Sequence, residues 1–333
     1  KAFRAREQTD RRERAALRAA RHWAGVERGA RAALRAADAA SRALGDRPLR
    51  GAAQALRRVA GAELVPIWPS NMPPPAPARL PATPRDGAAA AYLPACINRI
   101  FGNPRGAPPR PSLPEALVAV SARAGLGLWI PADAAGNCCA TPWSSKGHRR
   151  GHELMARRVA DSLWRWSEGG TLPVVIDASS CALGLAEDVT PLLDDPQRER
   201  YEQVEVIDSI AWAHDRLLPA LEVERRVGPV ALHPTCSTVQ MGLGPQLQAI
   251  ASAIADEVVI PAGTGCCGFA GDRGLLHPEL PASALRDVAA ELEGLELDAC
   301  LCSNRTCEIG LQQATGRPYA SFVFLLEELT RPV

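Results

Sequence analysis

Ten cysteines occur in 333 residues, and eight of them fall into two matching sets. The first is Cys96, the vicinal pair Cys138 and Cys139, and Cys181; the second is Cys236, the vicinal pair Cys266 and Cys267, and Cys307. Each vicinal pair sits in a glycine-containing turn, "GNCCATPWSSKG" and "GTGCCGFAGDRG". The thiolate is the form of cysteine that binds metals. Four thiolates brought together suit zinc or an iron–sulfur cluster. A lone buried cysteine is ordinarily a small apolar packing residue. That reading suits Cys300 and is preferred for Cys302, a spare ligand at most. It explains poorly eight cysteines at equivalent positions.

The elements that must position these sulfurs can be read around them. Short apolar runs alternate with amphipathic stretches from Ala88 onward, the mark of an α/β fold. Strands are expected at "AAYLPA", "GLWIPA", "PVVIDA", "VEVID", "PVALHP", "DEVVIPA" and "LDACLC". Helices are expected over residues 113–124, 147–167, 209–220, 243–255, 281–293 and 307–315. In each half one cysteine follows the first strand, a vicinal pair follows the second, and one follows the third, so the α/β unit is repeated. In an open parallel sheet the loops at the strand carboxyl ends gather at one edge. Helices starting after those loops aim positive ends at the same place, which favours thiolates.

Upstream, residues 10–62 are rich in Arg and Ala at helical spacing and predict two or three amphipathic helices. Residues 66–87, "PIWPSNMPPPAPARLPATPRDG", carry too many prolines for helix or central strand and predict an extended linker. The expected division is a helical connector over 1–65, a Pro-rich linker over 66–87, and two tandem, pseudo-symmetric cysteine-rich α/β repeats over 88–205 and 206–333.

Net charge is +1, which argues against nucleic acid as the main partner. No run approaches the ~18 apolar residues of a membrane span, and "FVFLLEEL" is soon interrupted by acids. The N-terminal residues show no apolar signal region, and their acids, among them Glu7, Asp10 and Glu13, argue against a transit peptide. The expectation is a cytoplasmic protein with reduced thiols, or one peripheral to the inner face of the membrane. The missing initial Met is read as the mark of a fragment or processed product.

Rival motifs are weaker. "GTGCCG" spells the dinucleotide fingerprint G-x-G-x-x-G, yet "FAGDRGLLHP" intervenes before the next helix. His148 and His152 lack the glutamate of H-E-x-x-H, because Arg149 stands there. Vicinal cysteines would form strained disulfide rings, against a thiol–disulfide catalyst. Lys146, His233 and Arg273, each near a cysteine set, are candidate outer-shell or partner contacts. Ordinary packing or pairing is the competing role for each.

The stretches "CCATPWSSKG", "GCCGFAGDRGLLHPEL" and "SNRTCEIG" resemble the cysteine-rich CCG domain. That domain occurs in heterodisulfide reductases and in the iron–sulfur subunits of glycolate oxidase and anaerobic glycerol-3-phosphate dehydrogenase. The likeness is closer to the C-terminal part of flavin-dependent D-lactate dehydrogenases with fused iron–sulfur domains. It covers about residues 88–333. It implies an FAD domain and a ferredoxin-like module upstream, and a relay of electrons to an acceptor such as a quinone or cytochrome. It implies iron–sulfur binding. With four thiolates per set the expectation is a [4Fe-4S] cluster on the second cysteine set and a second cluster or zinc on the first. The alternatives are a zinc-stapled structural or docking module, or a subunit of another CCG-domain oxidoreductase of the glycolate, glycerol-3-phosphate or heterodisulfide type. The chain departs from the pattern in two ways. The usual terminal C-x-x-C has Ala178 and Asn304 in place of its first cysteine, and Ala140 replaces the glycine of the first "CCG".

Overall fold

The computed structural model describes residues 2–105 and 108–332. The chain forms two compact units, each discontinuous in sequence. The first is Lys1–Gly29, Arg79–Arg99 and Val118–Leu221; the second is Ala30–Ala78, Ile100–Leu117 and Glu222–Val333.

The first unit is built on strands β1 (Ala90–Leu93), β2 (Leu128–Trp129), β3 (Val174–Ile176) and β4 (Val206–Asp208). They pair in the order β2-β1-β3-β4, all parallel. Every residue of β1 and β3 is buried, as expected of central parallel strands covered on both faces. The helix Arg149–Trp166 buries Met155, Val159, Leu163 and Trp166. The arm helix Asp10–Arg21 packs against it. Thr9 caps that arm helix by accepting from the Arg12 N–H at 3.3 Å, and the Trp143 indole N–H reaches the Ala16 carbonyl at 3.0 Å. The sequence boundary expected at 205 therefore falls inside this unit, since β4 extends the first sheet beyond β3.

The second unit repeats the plan. Strands β5 (Val227–Leu232), β6 (Ala255–Val259), β7 (Ala299–Cys302) and β8 (Tyr319–Ser321) pair in the order β6-β5-β7-β8, again all parallel. The fold is thus two tandem α/β repeats of one topology. Strand β8 was not among the expected strands, because Tyr319, Ala320 and Ser321 do not make an apolar run. The apolar run after it is an eight-residue helix, Phe322–Leu329, whose apolar side chains are buried or nearly so. Among the described residues no helix is long and apolar enough to cross a membrane.

Residues 10–62 form three helices, Asp10–Arg21, Trp23–Leu44 and Asp46–Ala60, within the two or three expected there, and a short helix, Ala2–Arg6, precedes them. Residues 61–89 contain no helix and no named strand, as their prolines demand. They do not run free of the domains, however. Met72 and Ala76 are buried, the Ile67 N–H donates to the Leu275 carbonyl at 2.7 Å, and the Asn71 amide donates to the Ile309 carbonyl at 2.9 Å.

Candidate metal centres

In the first unit the four cysteines of the first set leave the carboxyl ends of three neighbouring strands. Cys96 opens the helix Cys96–Ile100 after β1, Cys138 and Cys139 lie in the turn after β2, and Cys181 lies in the first turn of the helix Ser179–Asp188 after β3. All four are reduced and buried. The Cys96 and Cys138 sulfurs are 3.6 Å apart. Cys139 hydrogen-bonds with both Cys138 and Cys181 and donates to Thr141 Oγ1 at 3.3 Å. The bonds with Cys138, first, and with Cys181 hold the Cys139 thiol far below its ordinary pKa. They push Cys138 and Cys181 upward.

Buried polar groups frame this set. The Arg99 guanidinium donates to the Glu27 carboxylate, at 3.2 Å for one of the two bonds. It also donates to the Asn137 carbonyl at 2.6 Å and to the Pro94 carbonyl. Burial opposes its charge, but Glu27 and then Cys96 and Cys138 more than restore it. Asp177 accepts from the Tyr92 hydroxyl and the Ala95 N–H, each at 2.6 Å. The residue before the vicinal pair is pinned as well, with the Asn137 amide donating to the Asp133 carbonyl at 2.9 Å. A small cavity lies among the four sulfurs, Arg99 and Ile176.

In the second unit Cys236 opens the helix Cys236–Gln240 after β5, Cys266 and Cys267 lie in the turn after β6, and Cys307 lies in the first turn of the helix Arg305–Thr315 after β7. Cys236 and Cys266 are exposed, whereas Cys267 and Cys307 are buried with sulfurs 2.9 Å apart. Cys236 and Cys266 hydrogen-bond to each other, which lowers the Cys266 pKa to about 5 and raises that of Cys236. Cys307 also bonds with Cys302, so the residue expected to be packing belongs to the sulfur group. Cys300 does act as packing, and burial raises its pKa to about 11. Thr235 Oγ1 accepts from the Thr238 N–H at 3.2 Å and caps the Cys236 helix. The Asn304 amide donates to Thr235 Oγ1 and to Ser237 Oγ, each at 3.2 Å. The Glu291 carboxylate accepts from the N–H groups of Ala262 and Gly263, at 2.7 and 2.8 Å, at the root of the "GTGCCG" loop.

The residue after each vicinal pair has a left-handed backbone, with φ of 66° at Ala140 and 70° at Gly268. That conformation is open to glycine and costly for an L side chain. It gives the glycine of "CCG" a physical reason and makes Ala140 a strained exception.

The donor set fits a thiolate-bound metal or cluster. Eight reduced thiols stand at equivalent loops, and backbone N–H groups of Thr141, Ser237, Gly268 and Phe269 face sulfurs of Cys139, Cys236, Cys266 and Cys267. The sulfurs are paired with one another, and among the described residues no three Cys, His, Asp or Glu side chains are already spread as a metal cage.

The secondary candidates have different places. Lys146 is exposed at the end of the helix Thr141–Lys146, where its carbonyl accepts from the Gln8 amide at 2.8 Å. Arg273 is half-buried at the start of the helix Arg273–Leu276. His233 is 1% exposed, and burial lowers its pKa to about 4. Glu27, Arg99, Asp177 and Glu291 were not singled out from sequence. Each meets its partner only through folding, and nothing in its local sequence distinguishes it.

Comparison with curated proteins finds no match. Comparison with protein families finds the cysteine-rich CCG domain at residues 90–186 and 230–312, the segments that carry the two sulfur groups. Such a domain suggests electron transfer of the iron–sulfur oxidoreductase kind. Two matched segments cover more than half of the chain, and the protein belongs to the CCG cysteine-rich domain family.

Proposed function

We propose that the chain is the iron–sulfur electron-transfer portion of a flavin-dependent 2-hydroxy-acid dehydrogenase of the D-lactate type. The observation that carries the metal-binding part is the repeated Cys, Cys-Cys, Cys arrangement at the carboxyl edges of two sheets with the same strand order. Cys236, Cys266, Cys267 and Cys307 would hold one cluster, of the [4Fe-4S] type, and Cys96, Cys138, Cys139 and Cys181 a second centre. Such clusters supply reversible one-electron transfer, with a potential set by charge, hydrogen bonds and exposure. The chain's own residues fix the sulfurs, donate backbone N–H groups to them and exclude water from the first set. The hydride chemistry belongs to FAD in an upstream domain, with a ferredoxin-like module between. The support for these partners, and for a quinone or cytochrome acceptor, is the resemblance of "CCATPWSSKG", "GCCGFAGDRGLLHPEL" and "SNRTCEIG". A cytoplasmic location, with the inner membrane face as the alternative, belongs to the same proposal.

A zinc staple is a second reading for the first set alone. A tetrahedral site with Zn–S bonds of about 2.3 Å separates its sulfurs by roughly 3.8 Å, and Cys96 and Cys138 stand at 3.6 Å. The test is anaerobic purification followed by iron, sulfide and zinc analysis. Wild type should contain iron and sulfide, and Cys266→Ser with Cys267→Ser should remove the share of the second set. Full iron in that double variant, or a wild type with neither iron nor zinc, would show the proposal to be wrong.

A further inference from the structure

Aligned on their cysteines, so that Leu93 matches His233 and Ile176 matches Cys302, the two sheets differ at two registered pairs of positions. In the first sheet Leu93 of β1 stands opposite Ile176 of β3. In the second, Leu232 of β5 stands opposite Leu301 of β7, and the His233 N–H continues the parallel ladder to the Leu301 carbonyl at 2.9 Å. His233 is therefore the register neighbour of Cys302, and adjacent parallel residues in register share one face of the sheet. Where the first unit has two aliphatic side chains, the second has an imidazole and a thiol. The same holds one strand further out. Val174 pairs with Val206 in the first sheet, and Cys300 pairs with Tyr319 in the second.

His233 and Tyr319 are buried without hydrogen-bond partners, while the Cys302 thiol meets the Asn304 carbonyl at 4.0 Å and the Cys307 sulfur. Cys302 and Tyr319 are 0% exposed and His233 is 1% exposed. Neither ring nitrogen of His233, nor the Tyr319 hydroxyl, has a hydrogen-bond partner among the described residues. The Tyr319 hydroxyl lies within electrostatic reach of the Cys300 and Cys302 sulfurs. A buried hydrogen bond left unmade is destabilising, and such orphans are rare enough to call for an explanation. A neutral thiol is a weak acceptor, whereas a thiolate bound to a metal carries the charge that orphaned donors would satisfy. The sulfurs also run continuously inward, since Cys267 bonds with Cys307, and Cys307 with Cys302.

We propose that Cys302 is a fifth sulfur donor of the second centre, with His233 and Tyr319 as the buried hydrogen-bonding groups that position it. The proposal rests on the metal-binding reading of the second cysteine set and makes the two centres unlike in ligand number. Its counterpart Ile176 cannot ligate, so the first centre keeps four sulfurs. His233 and Tyr319 act through Cys302 and are positioning residues.

The test uses the full chain with the first set disabled by Cys138→Ser and Cys139→Ser, so that loading with ferrous iron and sulfide reports the second set alone. In that background Cys302→Ala and Cys302→Ser should each lower iron content and alter the visible and paramagnetic-resonance spectra, with helix content unchanged by circular dichroism. His233→Leu and Tyr319→Phe should keep iron bound while shifting the spectrum and weakening iron affinity by about 10- to 100-fold. Cys300→Ala, two positions away on the same strand, should change neither iron content nor spectrum. Iron content and spectrum unchanged in both Cys302 variants would overturn the fifth donor and leave the metal-binding reading standing. A parent background that takes up no iron would overturn both.

Discussion

The two cysteine sets occupy equivalent loops on sheets of the same order, yet their surroundings are opposite in kind. The first has four sulfurs, all buried, beside the paired guanidinium of Arg99. The second has two exposed sulfurs and three buried ones, counting Cys302, beside the uncharged imidazole of His233. Topology therefore sets where the sulfurs gather, and the residues next to the strand ends set how much charge and water they meet. Cluster potentials respond to both. The first set lies beside a buried cation and away from water, and the second is open to solvent on one side.

The largest effect expected to separate the units is on Glu27. Its side chain and that of Arg99 are 2% and 3% exposed, and removing one partner of a buried pair leaves an uncompensated charge at a cost of about 3–5 kcal/mol. Glu27→Ala should destabilise the first unit by that order and leave the second unchanged. Hydrogen exchange measured on peptides from β1–β3 and from β5–β7 would read the two separately. Equal loss of protection in both would remove the distinction drawn between the centres.

The next effect is on pH. Burial raises the Asp208 pKa to about 7 from the usual 3.8. Between those values the folded state holds a proton that the unfolded chain releases, so the first unit loses stability as pH rises from about 4 through about 7. A shift of that size corresponds to on the order of 4 kcal/mol. Denaturant unfolding across that range should show the slope, and Asp208→Asn should flatten it. A first unit whose stability rises through the same window would contradict the assignment.

The smallest effect compares Ala140 with Gly268, which share a left-handed backbone. A methyl group on Gly268 would also lie 2.8 Å from the Leu280 carbonyl oxygen. Gly268→Ala should cost about 2–3 kcal/mol, while Ala140→Gly should stabilise the first unit by up to about 1 kcal/mol. Thermal unfolding of the two variants would sharpen or break the equivalence of the turns, and a stabilising Gly268→Ala would break it.

Much of this molecule was legible in its residue order. The strand–Cys, strand–Cys-Cys, strand–Cys rhythm located six of the eight strands and both sulfur groups, and the apolar run "VEVID" added β4, because buried parallel strands are continuous apolar runs and the cysteines follow at the same ends. What escaped was set by distance along the chain. Strand β8 is three residues long and exists because β7 offers it an edge. The Pro-rich segment was expected to be a linker, and its composition does make it extended. It is held by the Asn71 amide on the Ile309 carbonyl, a contact across 238 residues. Arg99 and Glu27, 72 residues apart, become a pair only when an arm helix reaches the first cysteine set.

Cys302 was the most instructive case. Counted from Cys307 it misses the C-x-x-C position and looks like a packing residue of a strand. The register of β5 against β7 alone sets it beside His233, and the helix Arg305–Thr315 brings Cys307 to it. Residue types and local periodicity determined that eight thiols would gather in two places, since both act over a few residues. Which charges, imidazoles and further thiols join them was decided by the tertiary structure, because side chains on separate strands meet only when the sheet's register is set.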